Sequence, residues 1–213
     1  MNKRLGGFAL LVTVKNNSAL ALTSANLVSV LIAVLVFTLT GAYAQPMLGQ
    51  TFDTTGHSKA RGARATVGYP SGWKAQEGRG PKIIHNFLGD YTGVLAALSL
   101  AIEAYDEDVE SACNQASKEQ WIEGSAAANW PVTRARILNR KGKPAALIEF
   151  THNSKLDGFV LHTRVQTMVV CHNRYMLKVS CATSNTTPEL TKSNMQKIAP
   201  LCAQFFDSLV LKL

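Results

Sequence analysis

Charge is scarce in this sequence and unevenly placed. Asp, Glu, Lys and Arg make up 17% of the 213 residues, and none falls between Lys15 and Asp53. Scarcity on this scale excludes long charged disorder, and 15 Gly with 7 Pro excludes collagen-like and low-complexity chains. A single uncharged apolar run excludes a polytopic membrane protein. No cysteine precedes Cys113, so an N-terminal lipid anchor has no acceptor thiol. None of the four cysteines sits in a Cys-x-x-Cys, which removes the usual redox pair and the closely spaced zinc ligands. A Gly-x-Ser-x-Gly elbow, a phosphate-cradling Gly loop and a His-x-x-x-His pair are all missing, and Gly124-Ser125 has no second Gly in register. The expectation is a protein that is not an enzyme and carries no cofactor.

What is present begins with an export signal. Lys3, Arg4 and Lys15 precede an uncharged stretch whose apolar centre runs from Leu27 to Leu39, followed by Thr40-Gly41-Ala42-Tyr43-Ala44 and Gln45-Pro46. This charged, apolar and small-residue order reads as a signal peptide over residues 1–44, cleaved after Ala44. The same run is long enough to serve as an uncleaved signal anchor, which would be the chain's one membrane contact. Either way the remainder leaves the cytoplasm, for a periplasmic or secreted location. Without Lys3, Arg4 and Lys15, the 22 basic residues become 19 against 14 acidic ones, a net charge of +5. So mild an excess does not call for a nucleic-acid partner.

Residues 45–63 are polar and small and read as a flexible linker, leaving residues 64–213 as one domain. Short extended runs follow at Ala65 to Tyr69, Trp73 to Glu77, Lys82 to Leu88 and Leu98 to Tyr105. The acidic run Asp106-Glu107-Asp108 lacks the spacing of a calcium loop and instead opens a helix that reaches about Ala127. Three strands then form an antiparallel meander, Val132 to Arg140, Ala145 to His152 and Phe159 to Cys171, with turns at Lys141 to Lys143 and Asn153 to Gly158. A fourth strand, Tyr175 to Cys181, precedes a helix capped by Thr187 with Pro188 in its first turn; Pro200 should kink or restart that helix.

An even number of cysteines in an exported chain argues for two disulfides. A Cys171 to Cys181 bond would have to span roughly 20 Å of strand at about 3.3 Å per residue. A final helix folding back would carry Cys202 toward the hairpin tip, which pairs Cys171 with Cys202 and leaves Cys113 for Cys181.

Several motifs occur together in order: Tyr69-Pro70-Ser71-Gly72-Trp73, the extended Leu98 to Tyr105, the Gly142-Lys143-Pro144-Ala145 hairpin, Arg174-Tyr175-Met176-Leu177, and a helix ending Phe205-Phe206-Asp207-Ser208-Leu209. Over about Ala63 to Leu211 this order resembles the PsbP-like family, whose bacterial envelope members include DcrB-like proteins. The resemblance implies an α+β fold, an α/β/α sandwich around a twisted antiparallel sheet, and a role in binding or assembly rather than catalysis. It carries over no site residues, and the four cysteines are no part of its pattern.

For a site, the meander offers a basic surface. With Ala146 and Ile148 turned to the core, Arg134, Glu149 and His162 should lie in adjacent rows on the opposite face, with Arg136, Leu147 and Arg164 in the next row and Gln166 and Lys178 nearby. Such a face suits a small anionic ligand, or equally the solvated side of a sheet. His57, His85, His152, His162 and His172 are scattered, so no metal site is expected. Trp73, Trp121 and Trp130 are candidates for interface anchors or for packed core. The functional expectation is an exported monomer that engages an envelope protein or complex, with carriage of a small anionic ligand as the alternative.

Overall fold

The computed structural model describes residues 48–126, 131–156 and 158–212. The signal peptide expected over residues 1–44, the cleavage expected after Ala44, and Trp130 lie outside these residues. A seven-stranded antiparallel sheet has the order β3-β4-β5-β9-β8-β7-β6, formed by β3 (Lys74–Glu77), β4 (Ile83–Tyr91), β5 (Val94–Ala104), β6 (Val132–Arg140), β7 (Lys143–Leu156), β8 (Phe159–His172) and β9 (Tyr175–Asn185). A second sheet joins β1 (Gln50–Asp53), β2 (Ala65–Tyr69) and β10 (Val210–Leu211) in the order β1-β2-β10. Three α-helices, α1 (Glu110–Gln115), α2 (Lys118–Ala126) and α3 (Pro188–Ser208), and a 3-10 turn at Ser58–Ala60 complete the described residues. No helix among them is long and apolar enough to cross a membrane.

The expected helix-flanked α/β/α sandwich is therefore corrected to a β-rich fold of two antiparallel sheets and three helices. The helix expected over Asp106 to Ala127 breaks at Ala116, whose backbone turns extended (φ −66°, ψ 128°). The two short helices that result bury only Cys113 and Trp121 between them among the described side chains, and they pack beside β6, β7 and β8. They are too small to form a layer over a sheet whose longest strands reach 14 residues. The stretch read as a flexible linker instead contributes β1, which pairs with β2 from Gln50↔Tyr69 to Asp53↔Thr66.

Helix α3 forms for reasons visible in its sequence. Thr187 accepts a hydrogen bond from the Leu190 amide at 3.3 Å, Pro188 occupies the first turn, and Met195, Ile198, Leu201, Cys202, Phe205 and Phe206 recur at helical spacing on the buried side. Pro200 does not divide the helix. Pro200 and Gln196, whose carbonyl loses its helical partner, are both exposed, so water can take that bond. The buried stripe of α3 meets Leu98 and Leu100 of β5, Leu177, Val179 and Cys181 of β9, and Ala65 and Val67 of β2 in the main core. A second apolar cluster on the other side of the sheet unites Cys113, Trp121, Ala146, Ile148, Val169 and Cys171. Trp73 packs on the backbone of Gly89, where an added Cβ would lie 2.6 Å from the indole. Trp73 and Trp121 are thus packing residues.

The disulfides join Cys113 to Cys171 and Cys181 to Cys202, which corrects both expected pairings. Strand β9 continues past Cys181 to Asn185, so α3 starts seven residues beyond that cysteine. Seven extended residues span roughly 20 Å, about the same as the 14 helical residues that lead back to Cys202. Cys171 faces the other way: it pairs with Met176, whereas Cys181 pairs with Gln166, and the alternation of β8 puts these on opposite faces. With all four cysteines oxidised, the protein fits an extracytoplasmic location.

One partly buried ion cluster links β5, β9 and the approach to β4. Glu103 on β5 accepts hydrogen bonds from Lys178 (2.6 Å), Lys82 (2.9 Å) and the Tyr105 hydroxyl (3.0 Å). Burial pushes the Glu103 carboxyl up, but these donors outweigh it and hold the group down at about 2. Its anionic form therefore stabilises the fold above about pH 4.5, and this contribution disappears as pH falls toward 2.

Three measurements test this architecture. Replacing Cys181 and Cys202 together by Ala should cost roughly 3 kcal/mol and replacing Cys113 and Cys171 roughly 4 kcal/mol by loop entropy, for sequence separations of 21 and 58 residues. Denaturant unfolding reads both, and non-reducing peptide mapping should recover the same two pairs. In acid titrations, Glu103→Gln should lower stability at pH 7 by roughly 1–3 kcal/mol and flatten the loss between about pH 4.5 and pH 2. An unchanged acid profile would remove Glu103 from that role.

Candidate functional site

The five residues proposed from the meander share one face of the sheet but do not share a site. Arg134 lies opposite Glu149, which lies opposite Gln166, and Gln166 Nε2 donates to Glu149 Oε1 at 3.4 Å. Arg136 lies opposite Leu147 and Met168. Arg164 instead pairs with Thr151, and His162 with Asn153, whose Oδ1 is 2.9 Å from His162 Nδ1. The basic residues are thereby spread along the strands rather than gathered, and Lys178 is turned to the opposite face against Glu103. Among the described residues, Arg134, Arg136 and Arg164 make no ion pair.

The cause is the turn between β7 and β8. Leu156 pairs with Phe159, so two residues join the strands where six were expected, and the register shifts by four. The sequence carried a signal for this in Asp157-Gly158, a dipeptide suited to two-residue hairpins, and Gly158 has φ +85°. The tighter turn lengthens the hairpin. Pairing of β8 with β9 stops at His162↔Asn185, so Phe159, Val160 and Leu161 continue beyond the end of β9. This projecting tip exposes Leu156 (57%), Phe159 (66%) and Val160 (42%) to solvent. On the side away from β7, its backbone has no strand partner among the described residues.

The opposite end of the sheet is polar and tightly knit around Glu110, the first residue of α1. Its carboxylate accepts hydrogen bonds from Lys143 Nζ (3.1 and 3.3 Å) and from the Asn173 amide (3.0 Å), and lies 3.2 Å from His172 Nδ1. The Asn173 amide is the chief reason that its carboxyl sits below the usual carboxylate range; Lys143 and His172 add to the effect against the opposing pull of burial. Glu110 thus ties α1 to the β6–β7 and β8–β9 turns. Nearby, Arg140 donates to Asp207 Oδ1 (2.8 Å) and to the Asp207 carbonyl (2.7 Å), placing a cation at the C-terminal end of α3. The sequence reading missed Glu110 as a hub, because its partners lie 33 and 62 residues away and no local pattern links them.

Among the described residues, no three His, Cys, Asp or Glu side chains are grouped as metal ligands. The Asp106 to Asp108 run holds no such group, although Asp108 Oδ1 accepts from the Glu110 amide at 2.9 Å and helps to start α1.

No family model and no curated protein matches this chain. Three solved structures are similar to it in outline. One is a Bacteroides thetaiotaomicron protein, 12% identical, with a TM-score of 0.43 over 78% of this chain and 50% of that one. The chain thus spans about half the length of that structure. Another is a Pseudomonas aeruginosa protein of unknown function described as a putative regulator, 15% identical, TM-score 0.42, covering 70% and 92%. The third is LpqN of Mycobacterium tuberculosis, involved in cell envelope biogenesis, 11% identical, TM-score 0.41, covering 77% and 91%. Similarities this weak carry no argument about what the chain does, and the PsbP-like resemblance rests on its short motifs alone.

Proposed function

We propose that this chain is an exported, non-enzymatic binding module, periplasmic or secreted and monomeric, that engages a protein or complex of the cell envelope. The observation that carries this reading is the projecting β7–β8 tip. It combines exposed Leu156, Phe159 and Val160 with an unpaired strand edge at Phe159 to Leu161. An open strand edge needs hydrogen-bond partners, which another polypeptide provides by strand addition and hydrocarbon does not. The same features therefore favour a protein partner over a bilayer. The two disulfides and the N-terminal signal support export, and the motifs shared with PsbP-like proteins point to assembly rather than chemistry.

Carriage of a small anion on the Arg134, Arg136, His162 and Arg164 face is the weaker reading, since these groups lie in separate rows. For the leading one, Leu156→Ser combined with Phe159→Ser should leave thermal stability within about 0.5 kcal/mol, because both side chains are solvated. Native mass spectrometry of protein drawn gently from its own envelope fraction should show a stoichiometric subunit on the wild type that the double variant has lost. A partner retained by the variant, or none on the wild type, would sink the proposal.

A further inference from the structure

Cations gather around two neighbouring cavities at the end of the sheet away from the hairpin tip. The larger, about 330 Å³, is bounded by Arg64, Tyr175, Leu177 and Lys212, and the smaller, about 160 Å³, by Arg140, Lys141, Lys143 and Leu209. His172 and Leu211 line both. No Asp or Glu lines either one. The carboxylates that offset part of this charge engage Lys212, Lys143 and Arg140 from outside the lining, as Asp53, Glu110 and Asp207 respectively. Arg64 and Lys141 make no ion pair among the described residues. The rest of the wall is largely apolar, with Leu177, Val170, Leu209 and Leu211.

We propose that these two cavities form one binding site for a small organic anion, a phosphate or carboxylate head on an apolar body. The site is built from four separate stretches of chain, and its scaffold is pinned by hydrogen bonds. The Lys212 amide donates to the Arg64 carbonyl at 2.8 Å, the Tyr175 hydroxyl donates to the Arg61 carbonyl at 3.1 Å, and Glu110 fixes His172 through Nδ1. A guanidinium and an ammonium with no carboxylate of their own are the groups that an anionic head satisfies. Leucine side chains receive the body of such a ligand. The larger cavity falls at the low end of the range for small-molecule sites, about 300–1,000 Å³. None of this depends on the hairpin tip, so the two proposals stand or fall separately.

Calorimetric titration of the full exported chain with phenyl phosphate, and with inorganic phosphate beside it, tests the site. Phenyl phosphate should bind at one equivalent and more tightly than inorganic phosphate. Arg64→Gln with Lys141→Asn should weaken binding at least about tenfold, the loss of one or two charge-assisted contacts, with melting temperature unchanged because both side chains are exposed. Asn suits the positive φ of position 141 (51°). Arg134→Gln with Arg136→Gln should leave affinity intact. Phosphatidylglycerol vesicles form the second arm: binding there, lost in the Arg64 and Lys141 variant, with none to phenyl phosphate, would assign the phosphate to a lipid headgroup. No binding in either arm, unchanged affinity in that variant, or loss in the Arg134 and Arg136 variant would overturn the proposal. Ligand-induced NMR shifts at His172 give a readout independent of affinity.

Discussion

The β8–β9 hairpin is the constraint on which the rest of the structure depends. Its turn is tight, with Asn173 in the left-handed region (φ 51°), and its register runs without a break from His172↔Tyr175 to His162↔Asn185. Because antiparallel partners share a face and neighbours along a strand alternate, this register turns Cys171 and Cys181 to opposite sides. Each cysteine then recruits its own helix, α1 through Cys113 and α3 through Cys202. The main core and the smaller cluster around Trp121 are the apolar surroundings of those two bonds. A hairpin shifted by one residue would turn both cysteines away from their partners.

Local signals were legible and long-range ones were not. The bounds of β2 and β6, the Thr187 cap and the buried stripe of α3 follow from alternation, turn residues and helical spacing, all of which act within a few residues. The break at Ala116 was hidden because the apolar spacing carries on across it. Disulfide pairing failed because β9 was ended at Cys181, four residues short of Asn185. A misjudged hairpin loop undid the basic face: the residues were on the right side of the sheet, but a shift of four separated Arg136 from Arg164. The cationic cavities had no local signature at all, since Arg64, Lys141, His172 and Lys212 meet only through the tertiary fold.

The few acidic groups are used with economy. Glu103 and Glu110 each gather three partners: two lysines and a tyrosine in one case, a lysine, a histidine and a backbone amide in the other. Each carboxylate fastens segments that hydrophobic contact alone would hold loosely. Glu103 bridges β9 to the approach of β4, and Glu110 joins a short helix to two turns.

The separated arginines of β6 have a consequence of their own. This strand closes the seven-stranded sheet on one side, and its outer row of amides and carbonyls has no strand beside it among the described residues. An open border of this kind invites aggregation, which natural sheets resist with charge, irregular pairing and short length. Here Arg134, Arg136 and Arg140 stand along the border, and the pairing with β7 is irregular between Val132 and Arg134. The far border, β3, is only four residues long and carries Lys74 and Glu77. Both borders of the sheet thus carry the features that keep one copy from pairing with its neighbours while it folds.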